Sequence, residues 1–353
     1  KENRTRIIKI SQQVDSLLNR ASWEALKPFE SFLICSESTA SSRVEGIGTN
    51  RKDFAKAVLM FKASDNAKLT LSGIEATTFL ARAIHQKREV REEDILKAHY
   101  KLLRVDPVDS SYAGQYRTKQ NWIGGGDTPR NALYVPPTER LIPELMADLV
   151  NFCNRDDFNP ITQAIIAHAQ FESIHPFIDG NGRIGRALIT GLLNKTNPHH
   201  EALILPFSSA MLANVEKYYA ALTSYREGNI DAVIDYFTES FLKVIPAVDA
   251  ALVRLAELPD EFKERIKPRA GSALSRFLEE LPKYPIFDAD GAQKMLRISY
   301  INNVYREMEK LVDKGILEPV STAKRKRSWL VPAVFDEMER MQEDIGARKI
   351  FDA

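Results

Sequence analysis

Apolar residues recur at three- and four-residue spacing along most of the chain, and that spacing predicts helices. The pattern runs through RIIKISQQVDSLLNRA, DFAKAVLMF, IEATTFLARAIHQ, EEDILKAHYKLL, RLIPELMADLVNFCN and PITQAIIAHAQFESI. It continues in ALITGLLNK, VEKYYAALTSYREG and AVIDYFTESFLKVIPAVDAALVRLAE. Asn159 followed by Pro160 marks a helix start, because proline suits the first helical position. One stretch breaks the rhythm. Between Gly114 and Pro137, NWIGG and ALYVPP flank a Gly/Asp/Pro turn, which predicts a hairpin projecting from a helical body.

A second change falls near 258–270. From there the order is a helix (SALSRFLEELPK), a short apolar entry (YPIF), a helix (DADGAQKML), a tight turn (RIS) and a helix (YINNVYREMEKLVDKG). Two strand-like pieces, ILEPV and RSWLVP, then flank STAKRK. That is the order of a winged helix-turn-helix. The expected fold class is mainly α: residues 1–29 a helical extension, 30–257 a helical core with the hairpin at 121–136, and 258–353 a winged helix-turn-helix domain.

Composition narrows the classes. The chain has 353 residues, 44% hydrophobic and 27% charged, with a net charge of +1. That length suggests two or three domains, and near-neutrality gives no bulk attraction to nucleic acid or membrane. Cys35 and Cys153 lie in apolar surroundings without metal-ligand spacing, so they read as free thiols in a reducing compartment. No apolar run approaches a membrane span, and the first ten residues lack a signal-peptide core, so the cytoplasm is the expected location.

Candidate chemistry concentrates at 175–186, HPFIDGNGRIGR. Proline disfavours helical geometry in the residue before it, so the preceding helix should end at His175. A new helix should begin near Asn181–Gly182, which makes the stretch between them a turn feeding a helix N-terminus. Such a turn presents backbone N–H groups and the positive end of a helix dipole. Gly180 and Gly182 admit an anion close to the backbone, and phosphate is the expected ligand. Arg183 and Arg186 project from one face. Asp179 suits Mg²⁺ shared with substrate phosphates, and His175 could take a proton from a nucleophile. Taken singly, His175 also reads as structural, Asp179 and Asn181 as turn or cap residues, and the arginines as solvated. Their joint occurrence at a helix entrance favours transfer of a phosphorus-centred group.

The segment resembles the Fic family signature, His-x-Phe-x-Asp/Glu-Gly-Asn-Gly-Arg-x-x-Arg, at every defined position. The resemblance implies a helical core over roughly 30–250 and adenylyl transfer from Mg·ATP to a Ser, Thr or Tyr hydroxyl of a target protein or of the enzyme itself. It makes His175 the catalytic base and Asp179 the Mg²⁺ ligand. Asn181 with the Gly180 and Gly182 amides would hold the α- and β-phosphates, with Ile184 and Gly185 in the same binding segment. Arg183 would neutralise the β-phosphate and Arg186 hold the γ-phosphate. The hairpin would be the flap that pairs with the target, through Trp122, Ile123, Gly124, Leu133, Tyr134 and Val135. KYYAALTSYREGN resembles the adenine region, with Tyr219 the first candidate for base contact and Tyr218 the second; ordinary helix packing is the other reading. Arg226 stands where relatives carry an adenine-contacting asparagine.

Residues 38–47, STASSRVEGI, read as a short helix ended by Gly46. Ser41-x-x-x-Glu45-Gly46 resembles the family's inhibitory motif, in the class with an N-terminal inhibitory helix. Glu45 would then occupy Arg186 where a γ-phosphate is needed.

In the C-terminal segment, a recognition helix from Ser299 would expose Tyr300, Asn302, Asn303 and Arg306, with Lys324, Arg325, Lys326 and Arg327 on the wing. DNA is a candidate partner, and protein contact is the other reading. The chain as a whole reads as an autoinhibited protein adenylyltransferase using ATP and Mg²⁺ on a protein target, expected as a homodimer and without a membrane partner. Two rivals are removal of adenylyl groups at the same site and a DNA-binding regulator with a nucleotide-sensing core.

Overall fold

The computed structural model describes residues 5, 7–9, 11, 12 and 26–346, leaving out 125, 127 and 322–326. Most of the N-terminal helix expected from RIIKISQQVDSLLNRA lies outside the described residues, as do Lys324, Arg325 and Lys326 of the wing.

The helices form where the periodicity places them, and side-chain caps fix several of their starts. The first half comprises α1 (Glu30–Val44), α2 (Arg51–Val58), α3 (Asp65–Lys87), α4 (Glu92–Leu103), α5 (Ile142–Cys153), α6 (Pro160–Ile174) and α7 (Asn181–Lys195). Asn50 and Ser64 accept from Asp53 and Ala67 backbone N–H groups at the starts of α2 and α3. Asn159 caps α6 by accepting from Ile161 and Thr162 with Pro160 in the first turn, as its sequence predicts. Helix α7 is the hub: it packs between α3 and α6, and also touches α1 and α4. Its Ile184, Leu188 and Ile189 are fully buried. Gly191 lets α3 approach, because a Cβ there would collide with Ile84.

After α8 (Phe207–Ala213) and α9 (Val215–Arg226), α10 runs unbroken from Ile230 to Ile266. The change expected near 258–270 falls at the end of this helix, although the domain boundary placed at 258 lies within it: Pro246 and Pro259 are both inside the helix, which ends where Lys267 turns left-handed ahead of Pro268. Phe237, Phe241, Val244, Val248, Ala251 and Leu255 are buried along it, and tertiary packing overrides the prolines. Helix α11 (Ala273–Glu280), β1 (Ile286–Asp288), α12 (Ala289–Leu296), α13 (Ile301–Asp313), β2 (Glu318–Ser321), β3 (Ser328–Leu330) and α14 (Pro332–Asp344) complete the chain. The three strands form an antiparallel sheet in the order β1-β3-β2, with Trp329 opposite both Phe287 and Pro319. Helix α14 returns to pack on α10, α8 and α1, and one apolar cluster extends from Leu26 to Ile345.

Candidate active site

The site is assembled where α6 ends and α7 begins. His175 closes α6 in the left-handed region (φ 49°), its N–H donating to the Phe171 carbonyl. A β-carbon makes that conformation costly, and it persists only under restraint from neighbours. The restraint is Arg117, which is 2% exposed. Its Nε donates to the His175 carbonyl at 2.9 Å, its Nη1 to the Lys119 carbonyl, and its Nη2 to the Pro137 carbonyl. Its own N–H donates to the Pro176 carbonyl.

The turn is braced from inside. Asn181 Oδ1 accepts from the Phe177 N–H at 2.8 Å, and its Nδ2 donates to the Phe177 carbonyl at 2.9 Å. His99 stacks on Phe177 with centroids 3.7 Å apart. Its Nδ1 accepts from the Gly114 N–H, so its Nε2 carries the hydrogen donated to the Asp179 carbonyl. Burial pushes the His99 imidazole down to about 4, which keeps that tautomer neutral.

Helix α7 opens at Gly180 (φ 79°), a conformation that favours glycine. The first intrahelical bond runs from the Ile184 N–H to the Gly180 carbonyl. The Asn181, Gly182 and Arg183 amides therefore lack an intrahelical acceptor. Glu45 faces this turn: a Cβ at Gly182 would fall on its carboxylate. Glu45 Oε1 is 2.8 Å from Arg186 Nη2. Arg186 is buried, and its Nε and Nη2 also reach the Ser41 Oγ and carbonyl. Burial alone would push this guanidinium down, but Glu45, Tyr218 and Glu172 more than offset that and raise it. Arg183 is different. It is equally buried and pairs with Asp179 at 2.8 Å through Nη2, but its Nε and Nη1 have no partner.

Behind His175 lies a second layer. Glu172, His168 and Arg226 converge there, and His168 Nε2 meets the Tyr218 hydroxyl at 3.0 Å. Arg226 Nη2 donates to the Glu172 carbonyl at 3.2 Å while its guanidinium covers the Tyr134 ring. Burial, then Arg226 and Arg117, push His175 down to about 4. Burial, reinforced by Glu45, raises Glu172 to about 7.

The hairpin is thinner than expected. Among the described residues its arms meet in one antiparallel bridge, Ile123 to Tyr134, with a 3₁₀ turn at Pro129–Asn131. Prolines at 129, 136 and 137 remove ladder donors, which prevents two full strands. Leu133 and Val135 are exposed, Trp122 is half-buried, and Gly124 (φ 70°) makes room for Leu133. Tyr134 instead turns inward, its hydroxyl donating to the Ser173 carbonyl.

Several expectations need correction. Asn181 uses both side-chain polar atoms on Phe177, so the side-chain phosphate contact expected of it is taken, and its backbone N–H is the group left without an intrahelical acceptor. Ile184 is core, and its amide is already bonded. Gly185 is the gap that lets Glu172 and His168 approach α7, a Cβ there lying 2.6 Å from Glu172 Oε1. The Tyr218 ring is buried against Phe237 and Tyr236 and offers no face to a base, whereas Tyr219 is 46% exposed. The short helix at 38–47 is the end of α1, which begins at Glu30 and stops where Gly46 turns left-handed. Asn303 is half-buried, while Tyr300, Asn302 and Arg306 are exposed. Sequence reasoning passed over Arg117, His99, His168 and Glu172. The signal was present for the last two: four residues apart in α6, they interrupt its apolar face at Ile161 and Ile165.

Among the described residues no group of three or more His, Cys, Asp or Glu could hold a metal, and Asp179 is the carboxylate of the signature turn. One half-exposed carboxylate fits Mg²⁺ carried in on substrate phosphates, and it does not make a protein cage. Residues 89–193 match the sequence model of the Fic/DOC family. That match covers the signature turn and the helices on either side of it, and it is to this segment that the family likeness applies. It is 29% identical over 190 residues to protein adenylyltransferase Fic of Drosophila willistoni, covering 53% of this chain and 34% of that protein. With the Drosophila persimilis protein of the same name it shares 27% over 232 residues, 62% of this chain and 42% of the other. The matches span well under half the length of these relatives. Among solved structures, a Fic family protein from Desulfovibrio desulfuricans G20 superposes with a TM-score of 0.59 at 18% identity, over 92% of this chain and 96% of that one. Fic-1 (residues 134–508) of C. elegans gives 0.53 at 22%, over 69% and 70%. These likenesses show the fold.

Proposed function

We propose that the chain is a protein adenylyltransferase held off by its own Glu45. One observation carries the reading: the Glu45 carboxylate sits at the α7 N-terminus bonded to Arg186, beside an Arg183 guanidinium with two buried N–H donors unused. A buried donor without a partner costs free energy, and an incoming phosphate would satisfy both. The relatives' name, protein adenylyltransferase, supports the same chemistry.

In the proposed reaction His175 takes the proton of a target hydroxyl, whose oxygen bonds to the α-phosphorus of ATP as pyrophosphate leaves. The Asn181, Gly182 and Arg183 amides and the Arg183 side chain bind the phosphates, Arg186 takes the γ-phosphate, and Tyr219 contacts the base. Mg²⁺ on Asp179 would neutralise phosphate charge. The hairpin, with Leu133 and Val135 exposed on it, is the surface for a target strand. Catalysis is then positioning and charge stabilisation. The C-terminal segment, 258–353, is read as a winged helix-turn-helix, supported by the helix, strand, helix, helix, hairpin order of α11 to β3.

A labelled-ATP assay tests the brake. Glu45→Gly should raise self-modification roughly 10- to 100-fold, the value of a charged hydrogen bond. Adding His175→Ala should remove the gain. Equal transfer by wild type and Glu45→Gly sinks the brake, and no transfer by either sinks the enzyme. The reverse reaction would use the same carboxylate, and release of AMP from a modified target without ATP separates the two.

A further inference from the structure

A buried carboxyl stands behind His175 with no structural task. Glu172 is 5% exposed, and its Oε1 has no hydrogen-bond partner. Its Oε2 lies 3.9 Å from His175 Nδ1, which also has none. Leaving such a carboxyl unpaired in the interior is costly, and a leucine would fill the space more cheaply. The chain even makes room for it, since only glycine at 185 clears Glu172 Oε1 and His168 Nδ1.

His175 needs help to serve as a base. The groups facing it and Glu172 are His168 on α6, Glu45 at the end of α1, Arg186 on α7, Tyr218, Tyr219 and Arg226 on α9, and Arg117, Tyr134 and Asp179 from the loops. Arg226 and Arg117 both oppose an imidazolium. A base so depressed gains little by accepting a proton at neutral pH. Three carboxylates could compensate. Asp179 is paired with Arg183 and half-exposed, and Glu45 must leave when the γ-phosphate arrives. The Glu172 backbone carbonyl also faces the ring, but it is neutral and brings no charge to balance an imidazolium. The Glu172 carboxylate remains.

We propose that Glu172 is a positioning residue for His175: its carboxylate accepts the Nδ1 hydrogen and balances the imidazolium, leaving Nε2 to take the proton of the target hydroxyl. The inference rests on His175 being the base. In the step, the hydroxyl O–H breaks, its proton passes to Nε2, its oxygen bonds to the α-phosphorus, and the bond to the leaving pyrophosphate breaks. The Nδ1 hydrogen stays on the ring, shared with Glu172. The two groups stand 3.9 Å apart in the resting site, and the proposal requires them to close to hydrogen-bond distance as the proton moves.

Self-modification in the Glu45→Gly protein, followed across pH at saturating ATP, tests this. Glu172→Gln keeps the shape and removes the charge. It should lower kcat about 10- to 100-fold with KM for ATP unchanged, and flatten the rise of rate through the neutral range. Glu172→Asp should recover part of the rate. Nitrogen-15 NMR of the His175 ring should show hydrogen on Nδ1 in the parent and a lower imidazolium pKa in Glu172→Gln. Unchanged kcat and pH profile in folded Glu172→Gln would overturn the proposal. If Glu45→Gly transfers nothing, the adenylyltransferase reading fails on its own, and the NMR decides for Glu172: a His175 tautomer and titration indifferent to Glu172→Gln overturn it.

Discussion

The Fic signature turn and the surface of the C-terminal segment both display arginines, yet the two regions treat those charges in opposite ways. Arg183 is 4% exposed, pairs through one nitrogen only and leaves two donors unused. Arg306 is open to solvent beside Glu307, Arg327 pairs with Glu309 at 2.9 Å while lying over Tyr305, and Lys310 pairs with Glu307 at 2.9 Å. The first arrangement stores an unmet demand for an anion in a low-dielectric site. The second neutralises its cations in water, where each pair contributes little. A cation marks a site through what its surroundings leave unsatisfied.

Acid should separate the two regions most. His99 and His175 are pushed down to about 4 and His168 to about 3, all by burial first. Their unfolded value is near 6.5, so below that pH the unfolded chain binds the extra protons and stability falls. Glu37 and Glu172 act in reverse. Raised by burial to about 7, they hold protons that an unfolded chain has released above about 4.5, so their contribution grows as pH falls from 7 to 4.5. Three histidines against two carboxyls leave about one net proton, so stability should fall only about 1–2 kcal/mol from pH 7 to 5. Below 4.5 the carboxyl offset ends, and stability should drop roughly 1.4 kcal/mol per pH unit for each histidine still neutral. All six histidines precede residue 201. Urea unfolding at pH 7, 5 and 4 checks this, and stability that rises below pH 4.5 would refute the assignment.

How much of this was legible in the sequence differs between the same two regions. The signature is read from local rules: Pro176 ends α6, Gly180 opens α7, and the Gly and Arg spacing describes an anion site. What surrounds it was not legible. Arg117 lies 58 residues before His175 in sequence, and nothing in SSYAGQYRTKQ says that its guanidinium will hold the His175 carbonyl. His99 and Glu172 do break apolar faces, but their partners come from other helices. Tyr218 and Tyr219 show the limit most directly: adjacent in a helical pattern, they differ in burial because α9 turns one inward onto Arg186 and the other out. In the C-terminal segment the element order was readable from periodicity. The end of α10 was not, because buried Val248, Ala251 and Leu255 carry the helix past two prolines.

Asn181→Ala is the next test. The phosphate-nest reading of its side chain predicts a loss of ATP affinity with stability unchanged. The hydrogen bonds to Phe177 predict the reverse emphasis, because removing the amide leaves the buried Phe177 N–H unpaired, its carbonyl keeping Asn121 Nδ2, at a cost of about 1–3 kcal/mol. A fall of that size in urea-unfolding free energy, without ligand, is expected. No change would restore the phosphate role to the side chain.

The smallest effect is expected at the other pole. Arg327 is a third exposed, and its bridge to Glu309 spans solvent. Arg327→Ala should change unfolding free energy by less than about 0.5 kcal/mol, as surface substitutions do. If the winged-helix reading includes DNA, the same substitution should weaken binding to a random duplex and lower its salt slope by about one unit. The two readouts bear on different claims. A stability loss well above 0.5 kcal/mol would mean that the Arg327–Tyr305 stacking supports the sheet, and the contrast with Arg183 would shrink. A duplex whose binding is flat with salt, or absent, would leave Arg327 as the neutralised surface charge that its geometry describes.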